Sequence, residues 1–167
     1  MIGFNVIKLN AIPSTNDYIK VMRRLNKARD NDLVMAVNQS SGRGQRENKW
    51  FSESHKSLTI SIYKNFKDSS NFHPFLISAV ISISIVRCLE KLKVPKVSIK
   101  WPNDILSYNK KIGGVLIENF FTKDKLVDSV IGIGLNINQD SFNNLNNATS
   151  LKIETGKNWK IQNILEN

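Results

Sequence analysis

The stretch QSSGRGQRENKWFS, residues 39–52, holds two glycines and three cationic side chains with a single acid and almost nothing apolar before Trp50. Gly42 and Gly44 free the backbone to take unusual dihedrals and to approach a ligand closely. Successive backbone N–H groups flanked by Arg43 and Arg46 would cradle an anion. Their guanidinium groups would grip a carboxylate or phosphate through paired hydrogen bonds. A solvated surface loop accounts for the same composition. The segment lacks the Lys-Ser/Thr ending of a phosphate loop, which argues against an ordinary NTPase of that type.

Three further segments offer chemistry beside an apolar run, where loops on a rigid scaffold can converge. In KKIGGVLIE (110–118) two glycines interrupt a strand pattern, at a cost in entropy and packing. What they give is room for a ligand against bare backbone, with the Lys111 ammonium available for its polar end; a bulge with solvated lysines is the plainer alternative. In KWPND (100–104) Pro102 would keep Trp101 extended and leave Asn103 and Asp104 at the end of a strand, although a simple turn uses the same residue types. PSTND (13–17) carries hydroxyl and amide groups suited either to a polar ligand head or to capping a helix through Ser14 or Thr15.

The elements that must hold these segments follow from periodicity. FNVIKLN (4–10), LVMAV (33–37), SLTISIY (57–63) and KVSIKW (96–101) are expected strands, the third with clear alternation of Leu58, Ile60 and Ile62. KKIGGVLIENFF (110–121) and KLVDSVIGIGLNIN (125–138) are two more, joined through TKDK by a hairpin-sized connection. Tyr18, Met22 and Leu25 keep helical spacing after STND up to ARDND, and a long helix should run from about His73 to Leu92. NWKIQNILEN (158–167) begins a helical pattern. A few helices against a mostly antiparallel sheet is an α+β pattern rather than a doubly wound one.

At 167 residues and 41% hydrophobic composition the chain suits one globular domain. Cys88 is the only cysteine; it permits no internal disulfide and sits in an apolar helical stretch, where a packing role outweighs a nucleophilic one. No basic leader precedes an apolar block, and FLISAVISISIVRCL (75–89) is too short to span a bilayer, so a cytoplasmic protein without a membrane partner is expected. Lysine and arginine outnumber acids 24 to 14, for a net charge of +10. Most of the excess is scattered singly in the first hundred residues, which fits solvated surface better than a nucleic-acid face. Arg43, Arg46 and Lys49 are the exception.

In this order, STN (14–16), QSSGRGQRENKW (39–50), KWPNDIL (100–106), KKIGGVLIE (110–118), GIGLNIN (132–138) and ATSL (148–151) resemble the catalytic domain of biotin–protein ligases. The resemblance runs from about Val6 to Leu165. It implies a mixed, mostly antiparallel sheet flanked by helices, similar to class II aminoacyl-tRNA synthetases. It also implies an ATP- and Mg²⁺-dependent enzyme that makes biotinyl-5′-AMP from biotin and ATP, then passes biotin to one lysine of a biotin carboxyl carrier domain. Lys111 is similar to the family's catalytic lysine, and Arg43 and Arg46 lie in the stretch that would act as a lid over the adenylate. Ser14, Thr15, Asn16, Gln39, Gly42, Arg43, Lys111, Gly113 and Gly114 would line the biotin site. Arg43, Arg46, Trp50, Asn103, Asp104, Lys111 and Asn136 would meet ATP, with Asp104 as the expected Mg²⁺ contact.

Two departures from the family pattern stand out. Gln45 occupies a position where many relatives carry arginine, and Glu47 one where they carry glycine. Relatives also complete the helix begun at Lys160 and add a small β-barrel domain, so residues 1–167 are expected to be the catalytic domain alone. No helix-turn-helix precedes it in this chain, so DNA is not an expected partner; a homodimer stays open. The rival readings are a lipoate or octanoate ligase or transferase of the same fold, and a biotin-binding module without turnover.

Overall fold

The structure, a computed structural model, describes residues 3–66, 73–123, 125–142 and 145–166. In chain order the elements are β1 (Asn5–Ile12), α1 (Thr15–Arg24), β2 (Asp32–Gln39), β3 (Ser57–Asn65), α2 (Pro74–Lys91), β4 (Val97–Lys100), β5 (Asp104–Ser107), β6 (Lys110–Thr122), β7 (Lys125–Asn136), α3 (Leu151–Thr155) and α4 (Ile161–Leu165). The strands form one seven-stranded sheet in the order β1-β2-β3-β7-β6-β5-β4. Only β1 and β2 pair in parallel, because α1 carries the chain back over the sheet between them. The mixed, mostly antiparallel α+β architecture is the expected one.

The alternation along β7 decides what each face of the sheet does. Successive side chains of a strand point to opposite sides, so Ile131, Ile133 and Leu135 share one face while Val130, Gly132, Gly134 and Asn136 share the other. The apolar face packs under α2, where Ile85 and Leu89 meet Leu33, Leu58, Ile60, Ile105, Ile112 and Val115 in the main core. Pro74 opens this helix and the His73 side chain accepts a hydrogen bond from the Phe75 N–H at 3.2 Å, which fixes its start where the sequence places it. The second face is covered at one end only: Ile19 of α1 packs with Val34, Tyr63 and Val130.

Helix α1 departs from expectation in its buried stripe. Ser14 is the cap, its side chain accepting from the Asp17 N–H. The helix ends at Arg24, before ARDND, and turns Thr15, Asn16 and Ile19 inward; Tyr18 and Leu25 are exposed. The stripe is part apolar, through Ile19, and part polar. Arg23 forms a two-point ion pair with Asp128 of β7 and lies 4.0 Å above the Phe120 ring, so this stripe meets charged partners on the sheet.

KWPND does not end the sheet. Residues 101–103 turn, with a cis peptide at Trp101–Pro102, and the chain re-enters as β5. Tyr108 and Asn109, both at positive φ (45° and 64°), then reverse it into β6, the backbone of a two-residue hairpin turn. Helix α3, capped by the Ser150 side chain, is a second unanticipated element, and α4 starts where the helical pattern begins. Asp124 of the TKDK connection and Asn167 lie outside the described residues. Among the described residues no helix is long and apolar enough to cross a membrane.

Candidate active site

The uncovered end of the second sheet face is a cleft of about 340 Å³, within the range of small-molecule sites. Its floor is made by glycines. Gly114 of β6 pairs with Gly134 of β7, and Gly132 lies one pleat further along opposite Leu116. Each leaves room for a particular neighbour: a Cβ on Gly134 would enter the Trp50 indole, one on Gly132 would collide with the Asn16 amide, and one on Gly114 would sit 3.6 Å from the Lys111 ammonium. Gly113 is different. It faces the α2 core, where a Cβ would run into the Leu135 side chain, so of the two glycines expected at the site only Gly114 lines the cleft.

One wall comes from the start of α1. The buried side chains of Ser14, Thr15 and Asn16 lie at the cleft. Gln39 Oε1 accepts from both the Thr15 N–H (2.8 Å) and the Thr15 hydroxyl (3.0 Å). The Ser61 hydroxyl sits 2.6 Å from Thr15 Oγ1 and 2.5 Å from Asn16 Oδ1. Buried polar groups joined in this way are held in fixed orientations, as a site that must recognise a polar head requires.

The glycine–arginine stretch closes over this wall as a small hairpin. Arg43 and Lys49 form an isolated antiparallel bridge, the Gly44 N–H donates to Asn48 O at 2.8 Å, and the Trp50 N–H donates to Gly42 O at 2.9 Å. Gly42 does not reach the main cleft. It is the crossing point of the hairpin, where a Cβ would strike the Trp50 carbonyl oxygen. Arg43, Gln45, Arg46, Lys49 and Trp50 all line the cleft. Arg43 Nη1 donates to Asp17 at 2.6 Å and Nη2 lies 3.3 Å from Glu118. Burial pushes the Asp17 carboxyl up, but hydrogen bonds and charge from Lys20 and Arg43 outweigh it and hold the group below its ordinary value; the same pairing with Asp17 raises Arg43.

Across the cleft the Lys111 ammonium is 2.6 Å from Asp104 Oδ1. Lys111 is fixed from both sides of its backbone: its N–H donates to Asn147 O at 2.6 Å and its carbonyl accepts from the Thr149 N–H at 2.8 Å. The ATSL segment thus lies beside the catalytic-lysine candidate as a short parallel bridge. The β5–β6 register shifts at Ile105/Leu106, so the expected irregularity is there, but its lysine is ion-paired rather than merely solvated. Asn103 lines the cleft; Asn136 does not. Its amide donates to Thr149 O and its oxygen accepts from Gln139, which ties it to the 147–151 segment.

Five cationic side chains (Arg43, Arg46, Lys49, Lys100 and Lys111) line the cleft against the single carboxylate of Asp104. Such a site favours anions. Asp104 is committed to Lys111, and among the described residues no three acids, histidines or cysteines gather as a metal would require; the donor set does not fit a metal held by protein groups alone. Burial pushes the Cys88 thiol up, away from the reactive thiolate range. Thr59 lines the cleft without having been singled out, and Lys100, Gly132 and Gly134 line it from the quoted segments KWPND and GIGLNIN, where no role was expected of them. The glycines had a signal, since GIGLNIN places them at every second residue, on one face of a strand.

A polar wall, an arginine hairpin and a lysine on glycine-floored strands make a cation-rich cleft on one face of an α+β sheet. The chain belongs to the family described as Biotin/lipoate A/B protein ligase, which matches residues 9–136. It is 36% identical over 133 residues to the bifunctional ligase/repressor BirA of Salmonella typhimurium, covering 80% of this chain and 41% of that protein. Among solved structures it resembles the biotin protein ligase of Aquifex aeolicus in complex with biotin and ATP, with 32% identity, a TM-score of 0.82, and coverage of 97% of this chain and 66% of that one. The Helicobacter pylori biotin acetyl coenzyme A carboxylase synthetase with bound biotinylated ATP shares 28% identity at a TM-score of 0.70, over 98% and 72% of the two chains. The chain spans about two-fifths of the length of the curated BirA relatives it matches, 41% of both the Salmonella typhimurium and the Escherichia coli protein.

Proposed function

We propose that this chain is the catalytic domain of an ATP-dependent biotin–protein ligase that makes biotinyl-5′-AMP and transfers biotin to a lysine of a biotin carboxyl carrier domain. The observation that carries the reading is the meeting of Arg43, Lys111 and the bare backbone of Gly114 in one cleft. Relatives whose structures hold biotin and ATP, or biotinylated ATP, supply the ligand class. The ligase reading goes with a cytoplasmic location, where ATP is at hand.

In the first step a biotin carboxylate oxygen bonds to the α-phosphorus of ATP as the bond to pyrophosphate breaks. Two anions must meet, so the barrier falls when fixed cations stabilise charge on the transferring phosphoryl group. Lys111 would sit at the carboxylate–phosphate junction, with Asp104 aiming its ammonium; Arg43 and Arg46 would hold the phosphate from the hairpin side. Thr15, Asn16 and Gln39 would receive the polar ring of biotin, and Trp50 would pack toward the adenosine with Asn103 nearby. Mg²⁺, if it accompanies ATP, would be held chiefly by phosphate oxygens and water, the usual arrangement for that ion. In the second step the carrier amine attacks the acyl carbon, AMP leaves, and the amine loses its proton as the amide forms. The hairpin would keep water from the mixed anhydride in between.

Titration calorimetry with biotin, followed by mass measurement of a carrier domain incubated with the protein, ATP and Mg²⁺, tests this. Biotin should bind and the carrier should gain one biotinyl group. Biotin binding with no mass gain would instead select a binding module, and lipoate binding in place of biotin would select the sister activity.

A further inference from the structure

Glu118 stands outside every role assigned above, yet its two carboxylate oxygens face different parts of the site. Oε2 accepts from the Asn16 amide at 2.9 Å, and that amide is fixed in turn against Gly132 and Ser61 on the cleft floor. Oε1 lies 2.9 Å from the Lys20 ammonium and 3.3 Å from Arg43 Nη2 on the hairpin. Lys20 also reaches Asp17 at 2.7 Å, and Asp17 holds the other Arg43 nitrogen. Two carboxylates and two cations therefore close a neutral ring around Arg43. Glu118 alone among them also bonds through its side chain to a residue of the cleft wall, Asn16.

We propose that Glu118 is a positioning residue that couples the cleft wall to the hairpin, so that seating a ligand against Thr15 and Asn16 also fixes Arg43 over it. Isolated surface ion pairs contribute little, but a shared network with partly buried members contributes more. Glu118 and Lys20 have the lower exposure of the four, 21% and 23%. An amide at position 118 loses the charge that holds Lys20 and Arg43 and keeps one oxygen that can still accept from Asn16, so the hairpin link is lost and the wall link is weakened. Removing the charge from Asp17 cuts only the link to the hairpin.

The kinetic consequence rests on the ligase reading, so the test has one arm that does not. Amide exchange of ligand-free protein should be followed by mass spectrometry for wild type, Glu118→Gln and Asp17→Asn. Both variants should speed exchange across residues 40–50 by roughly three- to ten-fold, the scale of a partly exposed charge network, with α2 unchanged. Calorimetry with biotin should then show weaker binding for Glu118→Gln and wild-type binding for Asp17→Asn. Glu118→Asp, which keeps the charge but shortens the reach, serves if Glu118→Gln does not fold, and should loosen the same segment. Wild-type exchange over 40–50 in the Glu118 variant overturns the proposal, as does equal loss of biotin affinity in both variants. Failure of wild type itself to bind biotin overturns the ligase reading instead, and the exchange arm still decides the coupling.

Discussion

On the α2 side of β7 the residues are Ile131, Ile133 and Leu135; on the cleft side, alternating with them, are Gly132, Gly134 and Asn136. A single strand thus serves as core on one face and as bare floor on the other. Side chains on the first face are interchangeable within limits of volume, because burial rewards any apolar shape that fills the space. On the second face two of the missing side chains are each matched to one neighbour, Gly134 to Trp50 and Gly132 to Asn16. Stability should therefore respond mainly to the first face and ligand affinity mainly to the second.

The largest break in that contrast comes from the core. Leu89 of α2 is fully buried, and Leu89→Ala should lower the unfolding free energy by about 2–5 kcal/mol, read in a denaturant titration, while biotin affinity of the folded fraction stays the same. An equal loss in affinity would mean that the two faces are not separable. Gly134→Ala is the converse. The new methyl enters the indole of Trp50, which belongs to the hairpin and not to the sheet, so stability should fall by only about 1 kcal/mol. Adenylate affinity should fall at least about ten-fold; wild-type affinity would show that Trp50 has no part in binding.

The smallest effect is electrostatic. Asp17 is held below its ordinary pKa of 3.8 against the opposing push of burial, so the stabilisation it gives is present above that value and is lost as pH falls through the lower folded value. Its side chain is 41% exposed, which keeps the contribution small. Carbon-13 titration of the Asp17 carboxyl should give a midpoint below 3.8, and Asp17→Asn should match wild type in stability once pH is below that midpoint. A midpoint at or above 3.8 would show that Arg43 and Lys20 do not hold it.

Much of the sheet was legible because long strands print their alternation: SLTISIY and the GIGLNIN end of β7 each declare two unlike faces. The long helix was legible through its length and Pro74. Strand β5 was not, since its four residues lie between two turns and Asn103–Asp104 read as turn formers. The site was legible as four segments but not as partners. That Arg43 meets Asp17 and Glu118, or that Asn136 is taken up by Thr149 and Gln139, depends on which strands adjoin, and tertiary pairing leaves no local trace in the chain.

The proposed reaction needs cations gathered where two anions meet, and ATP–pyrophosphate exchange with and without biotin tests that most directly. Exchange should require biotin and should drop about 100- to 1,000-fold in Lys111→Met, the usual loss on removing a group that stabilises transition-state charge. Biotin binding by wild type without any exchange, or exchange in Lys111→Met at the wild-type rate, would contradict it.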